Sequence, residues 1–571
     1  MQRLLLPAAL ASALALAACG GDRPTADTAA DTGTDGAAAP ATGAASGHDF
    51  SPEITEADFR EMVRTMASDE FEGRAPGSPG GEKTVEYISA QFERIGLQPA
   101  GENDSWYQTV PMVQTTASNA TVLKLDGAGG ERELAFGTEM MIGTRTGQQT
   151  VSVSDSELVF VGYGVDAPER GWNDYEGLDV EGKTVVILVN DPGFHTADEG
   201  LFDGNRMTYY GRWTYKFEEA ARKGADAAII IHDTPGASYG WDVVRTSWSG
   251  AQFDLRAEDD PAPRLPAQGW ITNEVARELF ANAGLDLDEQ IQAASSADFR
   301  AVPLDATVSF ELESEVVEGS SRNVIGVLPG TGQPEDVVVY MGHWDHLGKH
   351  EDGEIYSGAI DNATGIAGII EIAERFATEE PAPQRSVAFL AVTLEESGLL
   401  GSQYYVAHPA FPLGNTVAAI NLDAMSVAGA SRDFVVTGMG NSQLEDILEP
   451  IAAAQGRTLV EEGNPAGGFY FRSDHFNFAK AGVPALYAKG GNDLVEGGLE
   501  AGRAAGEDYA TRYHQPSDVY REEWSLDGLI QDLEALYEVG RVLADDVDQW
   551  PNWYEGNPFK SARDEMMDAR D

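Results

Sequence analysis

The chain of 571 residues is poor in three things: cysteine, basic side chains and long apolar runs. One cysteine, Cys19, rules out an intramolecular disulfide and a thiolate cage for zinc, so any metal must be held by imidazole and carboxylate. Lys and Arg together number 38 against 94 Asp and Glu, a formal net charge of −56. A surface so negative repels phosphate backbones and anionic lipid, which excludes nucleic acid as a partner and leaves no electrostatic route to a membrane. The acidic excess reads as a solubilising surface and does not locate a function. The length is too great for one ordinary core, and two folded units plus tails are expected.

The one clear apolar run lies at the start. Met1 to Ala18 carries a single Arg and then mostly Leu and Ala, of signal-peptide rather than membrane-span length. It closes on Leu16-Ala17-Ala18-Cys19-Gly20, which resembles the lipobox of bacterial lipoproteins, so residues 1–18 are expected to be a leader and Cys19 an acylated N-terminus. Neither Gly20 nor Gly21 is acidic, so the retention signal of the inner membrane is missing. An exported protein, anchored by lipid to the outer membrane, is the expectation. Residues 19–50 are Ala, Thr, Gly, Asp and Pro with little to bury, the composition of a flexible tether.

Helical spacing starts after Thr55, a plausible N-cap before Phe59, Met62, Val63 and Met66, and returns from Glu82 to Ile95. Between residues 143 and 302 the texture shifts to short strands and turns. The strand Val185 to Val189 and the later stretch Phe217 to Ile231 resemble the protease-associated domain, a module that shapes a peptidase cleft without doing chemistry. From Asn323 onward apolar runs alternate with helical patterns: Asn323–Leu328, Val337–Met341, Ser386–Thr393, Val417–Leu422 and Val483–Ala488. This is the pattern of a largely parallel sheet in an α/β fold. The expected layout is a discontinuous main domain (51–142 and 303–548), the insertion (143–302) and a polar tail (549–571) that offers nothing beyond surface packing.

The densest chemistry sits in Met341 to Gly365, a strand-to-helix crossover holding His343, Asp345 and Asp361. Ligand sites in open α/β sheets lie at such C-terminal strand ends. Further candidates fall at or beyond the ends of other elements: Glu395-Glu396 and Asp423 after apolar runs, Asp474-His475 in Arg472 to His475, and His514 in Tyr513 to Pro516. Two His and three carboxylates suffice for two divalent cations, a hydrolytic arrangement. His343 and Asp345 stand at i and i+2, so in extended chain they share a side, and Asp345 is expected to orient the imidazole. Glu395 and Glu396 reach one cleft together only if their strand has ended by Leu394. His346 and His350 read as outer or surface residues, and His195 and His232 as ordinary histidines of the insertion.

Taken in order, Gly342-His343-Trp344-Asp345, Ser357 to Gly365, Glu395 to Ser402, Asn421-Leu422-Asp423, Arg472 to His475 and Tyr513 to Pro516 resemble the M28 zinc aminopeptidases and carboxypeptidases. The resemblance implies a three-layer α/β/α zinc-exopeptidase domain with a mostly parallel central sheet and an inserted protease-associated domain. It implies two zinc ions bridged by Asp361, with His343 and Asp423 on one and Glu396 and His514 on the other. Glu395 would be general base, and a cis peptide is expected at Asp361-Asn362. Tyr513 either assists the oxyanion or merely packs. Arg472 either contacts substrate or braces a loop, and Asp474 and His475 shape the pocket. The implied activity is peptide hydrolysis. An aminopeptidase is favoured because no arginine cluster stands near the motifs; a carboxypeptidase or dipeptidase, a glutaminyl-cyclase-like transferase and a catalytically dead binding protein are the alternatives.

Overall fold

A computed structural model describes residues 48–570 apart from positions 119, 120, 197, 199 and 351. The leader, Cys19 and the tether up to position 47 lie outside the described residues. Two helices open the described chain, α1 (Glu56–Met66) and α2 (Pro79–Ile95). Thr55 accepts a hydrogen bond from Asp58 N and caps α1, and Ser78 caps α2 with Pro79 in its first turn, so each start follows from local chemistry.

The main sheet is built from β1 (Tyr107–Ala117), β2 (Val302–Leu328), β3 (Gln333–His343), β4 (Arg385–Val392), β5 (Thr416–Asn421) and β6 (Ala485–Gly490). β1 pairs antiparallel with β2, and β2 antiparallel with β4. From there the pairing turns parallel, β4 to β3, β3 to β5 and β5 to β6. The parallel strands are buried on both faces, and accordingly they read as unbroken apolar runs rather than alternations. One face packs on α1, α2, α3 (Thr364–Thr378) and α4 (Asp527–Asp545); the other packs on the helices at Leu400–Ala407 and His475–Lys480. The architecture is therefore α/β with helices on both faces of a mostly parallel centre. Ile366, Ile369, Ile370, Ala373 and Phe376 of α3 are all buried, as their spacing predicts.

A second sheet has its own two apolar clusters. Thr150–Phe160, Lys183–Leu188, Ala227–Ile231 and Ala267–Ile271 run parallel in that order. The strands Val122–Gly127, Arg132–Ala135 and Met140–Gly143, placed by sequence in the first segment, pair here instead. Leu123 and Leu134 supply the reason, since each is sealed in the second core. Four-residue alternations carry no sign of which of two sheets they join. Conversely, Ala251–Leu255 leaves the insertion to pair with β1. The two sheets share β2, whose first half pairs with Thr150–Phe160 and whose second half pairs with β1 and β4.

The tail also departs from expectation. Trp553 and Phe559 are buried in the main domain's second face, and Arg563, in the helix Lys560–Arg570, donates to the carbonyls of Thr416 and Val417 at the start of β5. Polar composition hid this because two aromatics and one arginine make the contacts. Among the described residues no helix is long and apolar enough to cross a membrane.

Candidate metal centre

Because β3, β4 and β5 are parallel neighbours, their C-terminal ends meet at one edge, and each chain carries an acid or imidazole just past the strand. His343 is the last residue of β3. β4 stops at Val392, and Leu394 has a positive φ of 57°, so the chain has turned before Glu395 and Glu396. Asp423 follows β5 by two residues. The fourth contribution comes from the loop before α3. Asp361 is 6 % exposed, and its backbone N–H and that of Ile360 both donate to Asp518 at 3.1 Å. The Asp361-Asn362 peptide is cis. Asn362 ties the loop to β5 by donating to the Leu422 carbonyl at 3.0 Å. Gly365 permits that approach, because a Cβ there would lie 2.2 Å from the Leu422 oxygen.

The side chains converge on two positions. His343 Nε2 lies 3.2 Å from Asp361 Oδ1 and 3.4 Å from Asp423 Oδ1, with Glu395 Oε2 at 4.0 Å. On the other side of Asp361, His514 Nε2 is 3.3 Å from Asp361 Oδ2 and 3.0 Å from Glu396 Oε2. Asp361 thus turns one oxygen to each group. His346 joins the second group, its Nδ1 2.6 Å from Glu396 Oε1, and its ring is wholly buried. The residues fit divalent cations on a specific observation: His514 Nε2 and His346 Nε2 are shut off from solvent without a well-formed hydrogen bond, amid carboxylate oxygens at coordinating spacing.

The electrostatics separate the carboxylates. Burial works against ionisation of Asp361, yet the imidazoles of His343 and His514 beside it hold it well below the usual range. Glu396, likewise buried, is drawn down to about 2 by His346 and His514. Glu395 goes the other way: burial, with Glu396 and Asp423 nearby, pushes it well above the usual carboxylate range in spite of His343. His343 is raised because Glu395, Asp361 and Asp423 outweigh its burial, and His514 is raised to about 10 by Asp361 and Glu396 against the same penalty. Glu395 is thus inclined to take a proton beside Asp361 and Glu396, which are inclined to stay charged, a difference that acid–base hydrolysis needs. Burial raises Asp345 and Asp474 as well, to about 7.

Not every expected residue lands in its expected role. Asp345 does not hold the His343 ring through its carboxylate, which stands 3.9 Å from Nδ1; its backbone carbonyl does, at 3.1 Å. β3 has ended at His343, so the alternation that would align the side chains no longer applies. The Asp345 carboxylate instead accepts the Glu395 N–H at 3.2 Å and so positions the general-base candidate. Asp474 and His475 are fully buried behind the ligands, where Asp474 accepts from Ser402 at 2.7 Å and the His475 ring packs on Tyr470 and Tyr487; neither lines the cleft. Tyr513 is 50 % exposed, and its ring stacks on His514 at 3.8 Å. The Arg472 guanidinium lies over the Phe469 ring, 5.1 Å from its centre.

Several contributors escaped the sequence reading. Ser473 donates to Asp423 Oδ2 at 2.5 Å, and Asp518 fixes the Asp361 backbone. Arg74 is wholly buried and donates to the carbonyls of Met66, Trp344, Ser357 and Gly358, bracing the loop that carries Asp361. Burial lowers Arg74 to about 10, while Asp518 and Asp361 pull the other way. A lone Arg in a Gly/Pro loop is the only sign of it in sequence. His346 stands three residues from His343, but its proximity to Glu396 depends on how the chain bends after β3, which spacing alone does not show.

Sheet, edge and donor set together make a candidate centre for divalent cations at the C-terminal edge of a mostly parallel α/β sheet. Residues 323–537, which hold every ligand candidate, match the model for peptidase family M28. A probable leucine aminopeptidase 2 of Aspergillus fumigatus is 28 % identical over 64 % of this chain and 66 % of its own length. A probable glutamate carboxypeptidase of Arthroderma benhamiae is 27 % identical over 30 % of this chain and 24 % of its own. The chain thus spans from about a quarter to just under two-thirds of these relatives. An aminopeptidase from Aneurinibacillus sp. strain AM-1 superposes with TM-score 0.47 at 21 % identity, covering 86 % of this chain and 94 % of that one.

Proposed function

We propose that the protein is a metallo-exopeptidase that hydrolyses peptide bonds with two zinc ions and acts from a free amino end. The observation that carries this reading is the pair of imidazole–carboxylate groups sharing Asp361, one oxygen to each. His343 and Asp423 would hold one ion, and Glu396 and His514 the other, with Asp361 between. When bound, such ions supply Lewis acidity for the scissile carbonyl and lower the pKa of water to the neutral range. The remaining steps belong to side chains. Glu395 draws a proton from water as its oxygen adds to the carbonyl carbon, then returns that proton to the amine nitrogen as the C–N bond breaks. Asp345 holds the Glu395 backbone in place for both transfers. Tyr513 stands at the mouth with its hydroxyl available to the developing oxyanion. The aminopeptidase direction is supported by the relative that matches the greater share of this chain, itself named a leucine aminopeptidase. A lipid anchor at Cys19 on the outer membrane completes the proposal and is checked by mass analysis of the mature N-terminus.

The central test separates chemistry from metal binding. Glu395→Gln is expected to retain both metals by elemental analysis and to lose activity by about a hundredfold or more, the scale of a general base. His343→Ala and Asp361→Ala are expected to lower metal content. Full turnover in the first variant, or full metal content in both others, overturns the assignment.

A further inference from the structure

Glu395 and Glu396 stand on one turn, and their joint arrival at the centre depends on where β4 stops. The neighbouring strand does not run out at that point. β2 pairs with β4 only as far as Val324 opposite Ala391, yet β2 itself extends back to Val302. Had β4 kept to that ladder, the two glutamates would point to opposite faces of the sheet. Something other than the backbone of β2 ends the strand.

The side chain of Asn323 occupies that place. It is fully buried at the first position of β2 beyond the run paired with β4, opposite Gln108 of β1. Its Oδ1 accepts the Thr393 N–H at 3.0 Å and its Nδ2 donates to the Gly401 carbonyl at 2.9 Å, so one amide grips both ends of the segment that carries the glutamates. Nδ2 also donates to Gln108 Oε1 at 2.9 Å, and Gln108 in turn donates to the His408 carbonyl at 2.7 Å. Within the grip the chain closes on itself. Gly401 N donates to the Thr393 carbonyl at 3.0 Å, Leu400 N to that of Leu394 at 3.1 Å, and Gly398 N and Leu399 N to that of Glu395 at 2.9 and 3.0 Å. The neck is tight, since a Cβ on Gly401 would lie 2.1 Å from the Thr393 oxygen. The residue type follows from the chemistry: an amide accepts at one end and donates at the other, whereas an ionised Asp lacks the donor and Leu lacks both.

We propose that Asn323 is a positioning residue for the reaction: by ending β4 it brings Glu395 to 4.0 Å from His343 and Glu396 to 3.0 Å from His514, so its loss lowers turnover and weakens one of the two cations. The effect is divided because His343 and Asp423 come from the ends of β3 and β5, which the Asn323 amide does not touch. The inference rests on the two-cation exopeptidase reading, and the test keeps the two apart.

The zinc-loaded full-length protein is to be compared with three variants. Asn323→Asp removes the donor, Gly401→Ala forces the same neck from its other side, and Gln108→Leu removes a buried partner of Asn323 while leaving both loop bonds. kcat and KM are read on leucine p-nitroanilide, and the two zinc affinities by titration with a chelator. Asn323→Asp and Gly401→Ala should each lower kcat by about 10- to 100-fold with KM held within about threefold, and should release one zinc at about tenfold less chelator. Gln108→Leu should keep kcat and both affinities, whatever its melting temperature. Unchanged kcat and zinc affinities in Asn323→Asp overturn the assignment, and so does an equal loss in Gln108→Leu, which would mark a purely structural network. If neither neck variant folds, hydrogen exchange of the unaltered protein decides: the amides of residues 393–401 should be as protected as those of β4, and rapid exchange there overturns the grip. If the unaltered protein cleaves no peptide, the exopeptidase reading falls by itself; loss of one zinc in Asn323→Asp then still upholds the positioning role, and two unchanged affinities end it.

Discussion

Two side chains test how far the centre and its surroundings can be taken residue by residue. His346 touches Glu396 at 2.6 Å, and its other nitrogen has no partner among the described residues, so under the proposed two-cation reading it either joins the second cation's ligands or orients Glu396 from behind. In either role His346→Gln should weaken binding of one of two cations by about 10- to 100-fold, the usual cost of disturbing such a partner. Metal content after dialysis against a graded chelator reads this directly, with His350→Ala as control because its ring merely stacks on Tyr356. The second residue is Glu371 in α3, whose Oε2 accepts the Thr55 N–H at 3.0 Å while Oε1 has no partner. Burial pushes its pKa up to about 9, Asp58 and Glu374 adding to the rise. A carboxyl raised above its unfolded value of about 4.3 favours folding most below that value, and the contribution is lost as pH climbs through about 9. Melting temperature should therefore fall between about pH 5 and pH 9 in the parent, and fall less in Glu371→Gln, which keeps the acceptor for Thr55. Equal slopes in the two proteins would discard this account.

Among the elements, the C-terminal tail is where composition misled most. Trp553 is 1 % exposed and donates to the Gly482 carbonyl at 2.9 Å, so it closes the second face of the main sheet. Trp553→Ala should cost about 3 to 5 kcal/mol in denaturant unfolding; a loss under about 1 kcal/mol would mean the tail is surface packing after all. The same scale shows what could be read from sequence. The strands of the parallel sheet were legible because burial on both faces leaves an apolar run, and His343, Glu395, Glu396 and Asp423 were legible because they stand at or just after such a run. What escaped was set by pairings over long separations: Arg74 with the carbonyls of Trp344 and Ser357, and Asp518 with Asp361. No local period carries that information. Asp345 differs for another reason: it stands two residues beyond the end of its strand, where the alternation rule no longer holds.

Across the whole molecule the charge of −56 is a self-repulsion that the folded state must bear. Many basic residues are committed to local pairs, such as Arg94 with Glu374 at 2.6 Å and Arg457 with Asp532 at 2.7 Å, leaving the acidic surplus uncompensated. Screening at about 1 M salt, where the Debye length is about 3 Å, should raise the melting temperature measurably over low salt. A flat or falling trend would show that the surplus is too dispersed to matter.

The shared strand β2 carries a consequence for how such a chain can change. Its 27 residues pair with the second sheet at one end and with the main sheet at the other, so an inserted or deleted residue within either paired half would move that half's side chains to the opposite face. Loops at the cleft can lengthen or shorten freely, but the second sheet cannot be traded for an unrelated module by cutting there, since the graft would have to continue a strand already paired in the main sheet. Variation in substrate preference is thereby channelled into side-chain replacement at the junction.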